Sequence, residues 1–186
     1  MNHPYLPKKS LTVAFIIIVA LTATKTMAQQ TKWVASWAAS AHGPYPSGNA
    51  SAQPILSFAF EEPATGANDQ TFRLLLRPDL WGQRARLRFS NAFGTKPVTL
   101  DEVFVGLNSS AGNVAAGTNT RVLFGGKPSL TMQPGQVAYS DAVNLSFVKK
   151  PNVELLEGRK LVVSFHVAGN SGPMTWHAKA LQTSYV

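Results

Sequence analysis

The sequence has no cysteine among its 186 residues. This absence excludes disulfide bonds, thiolate metal sites and a cysteine nucleophile, so the chain must be stabilised by packing and hydrogen bonding alone. Charged residues are also few, with 17 basic and 9 acidic side chains. The formal net charge of +8 favours solubility and a weak attraction to polyanions, and it has no bearing on the fold.

Helical patterning is missing as well. After Thr31, apolar residues do not recur at the three- and four-residue spacing of an amphipathic helix. Short runs rich in Val, Leu, Phe and Thr alternate instead with Gly, Pro, Asn and Ser, as in strands joined by turns. The sequence therefore predicts an all-β single domain, a β-sandwich or jelly-roll-like fold. The predicted strands lie near residues 33–37, 55–60, 71–77, 84–90, 98–107, 121–124, 137–140, 143–147, 161–167 and 181–186.

Three segments permit more detailed predictions. In residues 84–90 apolar side chains alternate with arginines, which predicts one strand with Ala85, Leu87 and Phe89 on the core face. Residues 161–167 are almost entirely apolar, which predicts a central strand covered on both faces. Residues 38–54 are rich in Ala, Ser, Gly and Pro, which predicts a long surface loop.

The first 28 residues have the layout of a secretory signal peptide. Lys8 and Lys9 precede an apolar run over residues 11–21, and Thr26 and Ala28 place small residues at positions −3 and −1 before a cleavage site. A membrane anchor is disfavoured because eleven residues at helical rise cover only about half of a ~30 Å hydrocarbon core. We expect cleavage after Ala28, leaving residues 29–186 as a secreted or periplasmic domain without membrane attachment.

The motifs of ester hydrolysis are absent from the sequence. It has no Gly-x-Ser-x-Gly string, no Gly-Asp-Ser and no Asp-x-x-His, so no catalytic residue is predicted. The string Gly66-Ala67-Asn68-Asp69 matches the Gly-x-Asn-Asp pattern that supplies an oxyanion donor in one esterase group. A four-letter match before a predicted strand is interpreted here as a turn.

Metal and cofactor sites are not predicted either. His42, His166 and His177 are far apart and have no His-x-x-x-His spacing. His166 is interpreted as a structural histidine within an apolar strand. A calcium site that combines Asp101, Glu102 and Asp141 with backbone carbonyls stays open, because spacing alone does not reveal such sites.

The arginine-rich segment and the tryptophans raise two possible binding partners, nucleic acid and carbohydrate. The arginines of residues 84–88 have no interleaved aromatic residues, so nucleic-acid binding is not predicted. Sugar rings stack on flat amphipathic side chains, which makes Trp81, Trp176 and His177 the candidate substrate-binding residues. The alternative is that these rings fill the core.

Several short segments have amino-acid sequences more specific than the alternation of a strand requires. They occur in this order: 33–40 (WVASWAAS), 71–73 (TFR), 84–94 (RARLRFSNAFG), 124–129 (FGGKPS), 175–177 (TWH) and 181–185 (LQTSY). In this order they resemble the N-terminal β-domain of secreted bacterial SGNH/GDSL-type esterases, which are acylhydrolases. The resemblance covers about Trp33 to Val186, and the block at 84–94 is its most specific part.

The resemblance implies a role without catalysis. Members of this family continue into an α/β domain that bears the Gly-Asp-Ser nucleophile and a C-terminal Asp-x-x-His, and neither string occurs in these 186 residues. The chain is therefore expected to be the N-terminal part of an exported ester hydrolase, inactive alone, that packs on the catalytic domain or presents a polysaccharide or acylated sugar to it. It is then a fragment, the product of a truncated gene, or a domain whose catalytic partner is encoded separately. The alternatives are a free-standing carbohydrate-binding module and an envelope structural or interaction protein.

Overall fold

The structure is a computed structural model that describes residues 32–45, 56–149, 152–177, 180 and 182–186. The chain divides into two units between Val34 and Ala35, and every element named below belongs to the second unit. The predicted signal peptide lies outside the described residues. Within the described ranges, no helix has the length and apolarity needed to cross a bilayer.

Strands make up nearly all the regular structure, and all their pairings are antiparallel. Among the residues that the structure describes, Pro63–Thr65 and Asn152–Leu156 form short 3-10 helices. The predicted all-β class is thus confirmed. The strands are β1 (His42–Tyr45), β2 (Asn68–Leu76), β3 (Arg84–Ala85), β4 (Arg88–Ser90), β5 (Val98–Leu107), β6 (Thr120–Arg121), β7 (Leu130–Met132), β8 (Val137–Tyr139), β9 (Val143–Asn144), β10 (Leu161–Asn170), β11 (Met174–Trp176) and β12 (Ser184–Tyr185).

The main sheet has the strand order β12-β2-β10-β5-β6, and β7 also pairs with β5. β10 is central, as its apolar sequence predicts, with Val163 paired to Leu74 of β2 and to Val105 of β5. Because successive strand residues point to opposite faces, Val163 and Phe165 face the core. On the outer face Val162 is fully buried, whereas His166 is half-buried. The predicted cover on both faces therefore holds only for the first part of β10.

Short ladders form a second layer against the main sheet. β3 pairs with β9, and β4 pairs with β8. From this layer Phe89 packs edge-on against Phe165 of β10, with ring centroids 6.0 Å apart, and against Phe124 at 5.8 Å. A further ladder, β1–β11, places Tyr45 edge-on to Trp176. The core therefore lies between the inner face of the main sheet and these ladders, as in a sandwich.

Residues 84–90 form two strands rather than the one predicted. Between β3 and β4, Leu87 exchanges hydrogen bonds with Ser140, whose Oγ accepts from the Leu87 N–H and whose N–H donates to the Leu87 carbonyl. The side chain of Ser140 thus replaces a backbone partner and interrupts the ladder. The predicted faces are correct nonetheless: Leu87 and Phe89 pack against the core, and Arg88 is exposed.

Three other strand and loop predictions are wrong. Residues 33–37 form no strand, and in 56–60 the N–H groups of Ala59 and Phe60 both donate to the Leu56 carbonyl, which makes a turn. The predicted loop at 38–54 contains β1, whose Tyr45 is only 2% exposed. β1 forms because β11, over a hundred residues away, supplies its partner, and a local pattern cannot reveal such a pairing.

Candidate functional site

A cleft of about 440 Å³ opens on the outer face of the main sheet. Each of the three central strands contributes two side chains to its floor, because alternate residues of paired strands share a face. The floor residues are Thr71 and Arg73 of β2, Ser164 and His166 of β10, and Glu102 and Phe104 of β5. The cleft therefore combines hydroxyl, guanidinium, imidazole, carboxylate and aromatic groups.

The loop between β5 and β6 forms the wall of the cleft and contributes Asn113, Val114 and Asn119. Gly106 allows this loop to lie on the sheet, because a Cβ atom at Gly106 would be only 2.4 Å from Val114 Cγ1. The loop is anchored by Arg73, whose Nη1 donates to the Gly112 carbonyl at 3.1 Å. The wall is thus positioned by a close backbone approach and by a side chain from the floor.

His166 lies at one end of the cleft between two carboxylates. Its Nδ1 is 2.6 Å from Oδ1 of Asp101, which is its cross-strand partner on β5. Its Nε2 is 3.2 Å from Oδ1 of Asp69 at the start of β2. The imidazole is 27% exposed. Its contacts with Asp69 and Asp101 connect β10 to both neighbouring strands, β2 and β5.

A β-bulge in β5 sets the direction of the two acidic residues. Ser164 pairs with Phe104 and His166 pairs with Asp101, so both Glu102 and Val103 lie opposite Phe165 alone. Glu102 adopts a left-handed backbone with φ of 47°. Because of the extra residue, Asp101 and Glu102 both turn away from the core, whereas a regular strand would bury one of them. Bulges commonly re-aim side chains beside functional sites.

The carboxylates favour the charged form of His166. The hydrogen bond to Asp101 is the largest cause that raises the pKa of His166 above its ordinary 6.5, and the charges of Asp101 and Asp69 add to it. Partial burial acts in the opposite direction but is outweighed. In the imidazolium form both ring nitrogens donate to carboxylates, so the ring has no lone pair to accept a proton from a hydroxyl group.

In the described residues, the ring-nitrogen contacts of His166 and His177 are to carboxylate and carbonyl oxygens and not to hydroxyl groups. His166 bonds to carboxylates, and His177 Nδ1 is 2.7 Å from the Ser40 carbonyl oxygen. Ser171 Oγ accepts from the Ala67 N–H and donates to the Gly172 carbonyl, so it is used structurally. In the string at 66–69, Gly66 ends the first 3-10 helix, and Asn68 begins β2.

The predicted sugar-binding residues lie away from the cleft. Trp81 packs edge-on against Phe147, and Trp176 packs edge-on against Tyr45. Both indoles are half-buried, and their Nε1 atoms are buried without a hydrogen-bond partner in the described part of the chain. His177, next to Trp176, stacks on His42 with ring centroids 5.9 Å apart. The structure therefore brings Trp176 and His177 together and places Trp81 in a different contact.

The calcium set that the sequence left open is not assembled. The two carboxylate oxygens of Asp141 accept from the N–H groups of Gly125 and Gly126, at 3.0 and 2.7 Å. Asp141 thereby stabilises the turn after β6 and does not join Asp101 and Glu102. Over the ranges that the structure describes, no group of three or more His, Asp or Glu side chains is arranged to hold a metal ion.

The sequence placed His166 in an apolar strand, but it predicted neither the two carboxylates that contact the imidazole nor the cleft. One signal was available, because the pair Asp101-Glu102 interrupts the apolar alternation of residues 98–107. Two adjacent acidic residues in such a strand indicate a bulge, since a regular strand would bury one of them. Asp69 gave no comparable signal, because the first residues of β2 are all polar.

A scan against protein-family models found no matching family, and a search of curated proteins found no match.

Proposed function

We propose that this chain is the non-catalytic β-sandwich part of an exported SGNH/GDSL-type ester hydrolase. It packs on a catalytic domain that bears the Gly-Asp-Ser nucleophile, or presents substrate to that domain. The observation that carries the proposal is the ordered set of sequence blocks between Trp33 and Tyr185, of which the block at 84–94 is the most specific.

Residues 91–94 of that block have structural roles that explain why these residue types occur there. Asn91 is 2% exposed, and its Nδ2 donates to the carbonyls of Lys96 and Met132 at 2.9 and 3.1 Å. Its backbone N–H donates to the Gln136 carbonyl. Gly94 is required beside it, because a Cβ atom there would lie 1.7 Å from Asn91 Oδ1. The turn after β4 is thus held to the end of β7 and to the residues that precede β5 and β8.

Phe93 extends this arrangement to the β1–β11 ladder. Its backbone N–H donates to Thr175 Oγ1 of β11 at 2.8 Å. Its side chain lies so near β1 that a Cβ atom at Gly43 would be 2.1 Å from Phe93 Cβ. The most specific block of the resemblance therefore joins three parts of the sandwich, which supports a shared scaffold without requiring any chemistry of its own.

Exposed apolar side chains on β8 support a packing role. Val137 and Tyr139 are alternate residues of one strand and therefore share its outward face, and Tyr139 is 64% exposed. Arg88 lies directly across from Tyr139 on β4. Val137 and Tyr139 are the part of the surface that we propose packs against the catalytic domain.

The test mixes this chain with a separately produced Gly-Asp-Ser catalytic domain of an SGNH/GDSL esterase and follows p-nitrophenyl acetate hydrolysis. We expect the chain alone to give no turnover above buffer, because an unpaired serine hydroxyl is a poor nucleophile near neutral pH. We expect the mixture to show a higher melting temperature for the catalytic domain than that domain shows alone.

Two variants serve as test and control. Tyr139→Ser should reduce the melting shift, whereas Leu155→Ser should preserve it, because Leu155 is 70% exposed on the second 3-10 helix and away from β8 in the chain. The proposal fails if the chain alone hydrolyses the ester and one serine change, such as Ser171→Ala, removes that activity. It also fails if the mixture shows no shift.

A further inference from the structure

The cleft on the outer face of the main sheet holds polar groups that the chain itself does not use. The side chains of Thr71, Ser164, Glu102, Asn113 and Asn119 all line it. In the described part of the chain none of these side chains makes a hydrogen bond, although together they present hydroxyl, carboxylate and amide groups. The cleft therefore offers donors and acceptors from both its floor and its wall.

The charges around the cleft are balanced. Asp69 and Asp101 each contact one ring nitrogen of His166, whose protonated form offsets part of their negative charge. The remaining charged groups are Glu102 and Arg73 on the floor, with Arg121 beside the floor over the Phe104 ring. Three acidic groups thus face three cationic groups when His166 is protonated. A strongly anionic ligand gains little from such a surface, and neither does a metal ion.

The cleft also has one flat apolar surface. Phe104 is half-buried on its floor, and the Arg121 guanidinium carbon lies 4.7 Å from the ring centroid. This contact stabilises the orientation of the ring. Val114 of the wall adds a second apolar contact. The volume of about 440 Å³ falls within the ~300–1,000 Å³ of small-ligand sites.

A ligand that matches this surface needs several hydroxyl groups, no net charge and an apolar face. A pyranose ring has all three properties, since its rim carries hydroxyls and its face carries C–H groups. We propose that the cleft binds a neutral sugar unit of a polysaccharide. Because the Arg121 guanidinium covers one face of the Phe104 ring, the sugar ring packs on the other face, and its hydroxyls bond to Glu102, Asn119 and the neighbouring polar side chains.

This inference goes beyond the proposed role beside a catalytic domain. It also places the sugar-binding site in the cleft and not at Trp81 and Trp176, the tryptophans that the sequence predicted. Trp176 is used inside the fold, against Tyr45. The cleft, by contrast, has exposed residues along its floor and wall, including Thr71 and Asn119, so a polymer can continue out of it.

Affinity electrophoresis tests the proposal. The folded chain is run through gels that contain arabinoxylan, glucomannan or mixed-linkage β-glucan, with polygalacturonate as the anionic comparison. We expect at least one neutral polymer to retard the chain more than polygalacturonate does. Glu102→Gln and Asn119→Ala should each weaken that retention by about tenfold or more, because the first replaces a charged acceptor with a neutral amide and the second removes the amide that bonds to the sugar.

Glu154→Gln is the matched control, since Glu154 is an exposed carboxylate on the second 3-10 helix and should be neutral to retention. Unchanged circular dichroism melting curves establish that each variant folds. The proposal is overturned if no neutral polymer retards the chain, or if polygalacturonate retards it most. Retention that survives both cleft variants but disappears in Trp176→Phe would also overturn it. None of these results depends on binding to a catalytic domain, so the two proposals can fail separately.

Discussion

His166 owes its environment to residues that lie far from it in the chain. Asp101 is 65 positions away and Asp69 is still further, yet both contact the imidazole, because β10 runs between β5 and β2. The interpretation of His166 as a structural histidine placed it in the correct strand but gave no indication of the two carboxylates. Its neighbours Phe165 and Val167 face the core, while His166 faces the cleft.

The pKa of His166 should depend on its two carboxylates unequally. We expect a histidine NMR titration to give a value above 6.5 in the wild type. Asp101→Asn should lower this pKa more than Asp69→Asn does, because the hydrogen bond to Asp101 is the largest cause of the shift. A larger effect from Asp69→Asn would contradict the assigned geometry.

The same interaction makes stability depend on pH. A pKa that is raised by folding contributes stability that is fully present below the unfolded value of about 6.5 and is lost as the pH rises through the folded value. His166→Gln should therefore remove that part of the pH dependence. Urea denaturation between pH 5 and pH 9 measures the profile, and an identical pH dependence in His166→Gln and the wild type would contradict this prediction.

At the scale of elements, residues 84–90 show how a side chain can divide a strand. The alternation of apolar residues and arginines is real, and it places Leu87 and Phe89 on the core. Pairing is nevertheless interrupted at Leu87, where the hydroxyl of Ser140 takes the place of a backbone group. The result is two short ladders, each with its own partner strand.

Replacing a side chain of β4 by alanine should change the free energy of unfolding by very different amounts on the two faces of the strand. Phe89 is half-buried against Phe124 and Phe165, so Phe89→Ala should cost about 3 kcal/mol, the lower end of values for large-to-small aromatic changes. Arg88 on the opposite face is exposed, and Arg88→Ala should change stability by less than about 0.5 kcal/mol. Urea denaturation measures both, and equal costs would mean that the arginine face is covered.

At the scale of the whole molecule, the sandwich gains cohesion from side chains that bridge its ladders. The Asn91 turn, the Phe93 contacts and the aromatic cluster around Phe165 all connect segments distant in sequence. A chain without cysteine depends on such packing and hydrogen bonding, because no disulfide bond can form within it.

Export is the prediction that belongs to this scale. The basic, apolar and small-residue segments of residues 8–28 should direct secretion, with cleavage after Ala28. Mass spectrometry of exported material should find an N-terminus at or within a few residues of Gln29. Recovery of the chain in a membrane fraction with residues 1–21 retained would contradict this.

The sequence by itself determined the all-β class, the bounds of β5 at residues 98–107, the central position of β10 and the faces of residues 84–90. Each of these follows from a local pattern, because side chains alternate along any strand wherever its partner lies. Only the tertiary structure decided the pairing of β1 with β11, the division at Leu87, and the meeting of Asp69, Asp101 and His166 beside the cleft. These depend on contacts between distant residues and on a bulge that reverses the alternation within β5, and no local period contains that information.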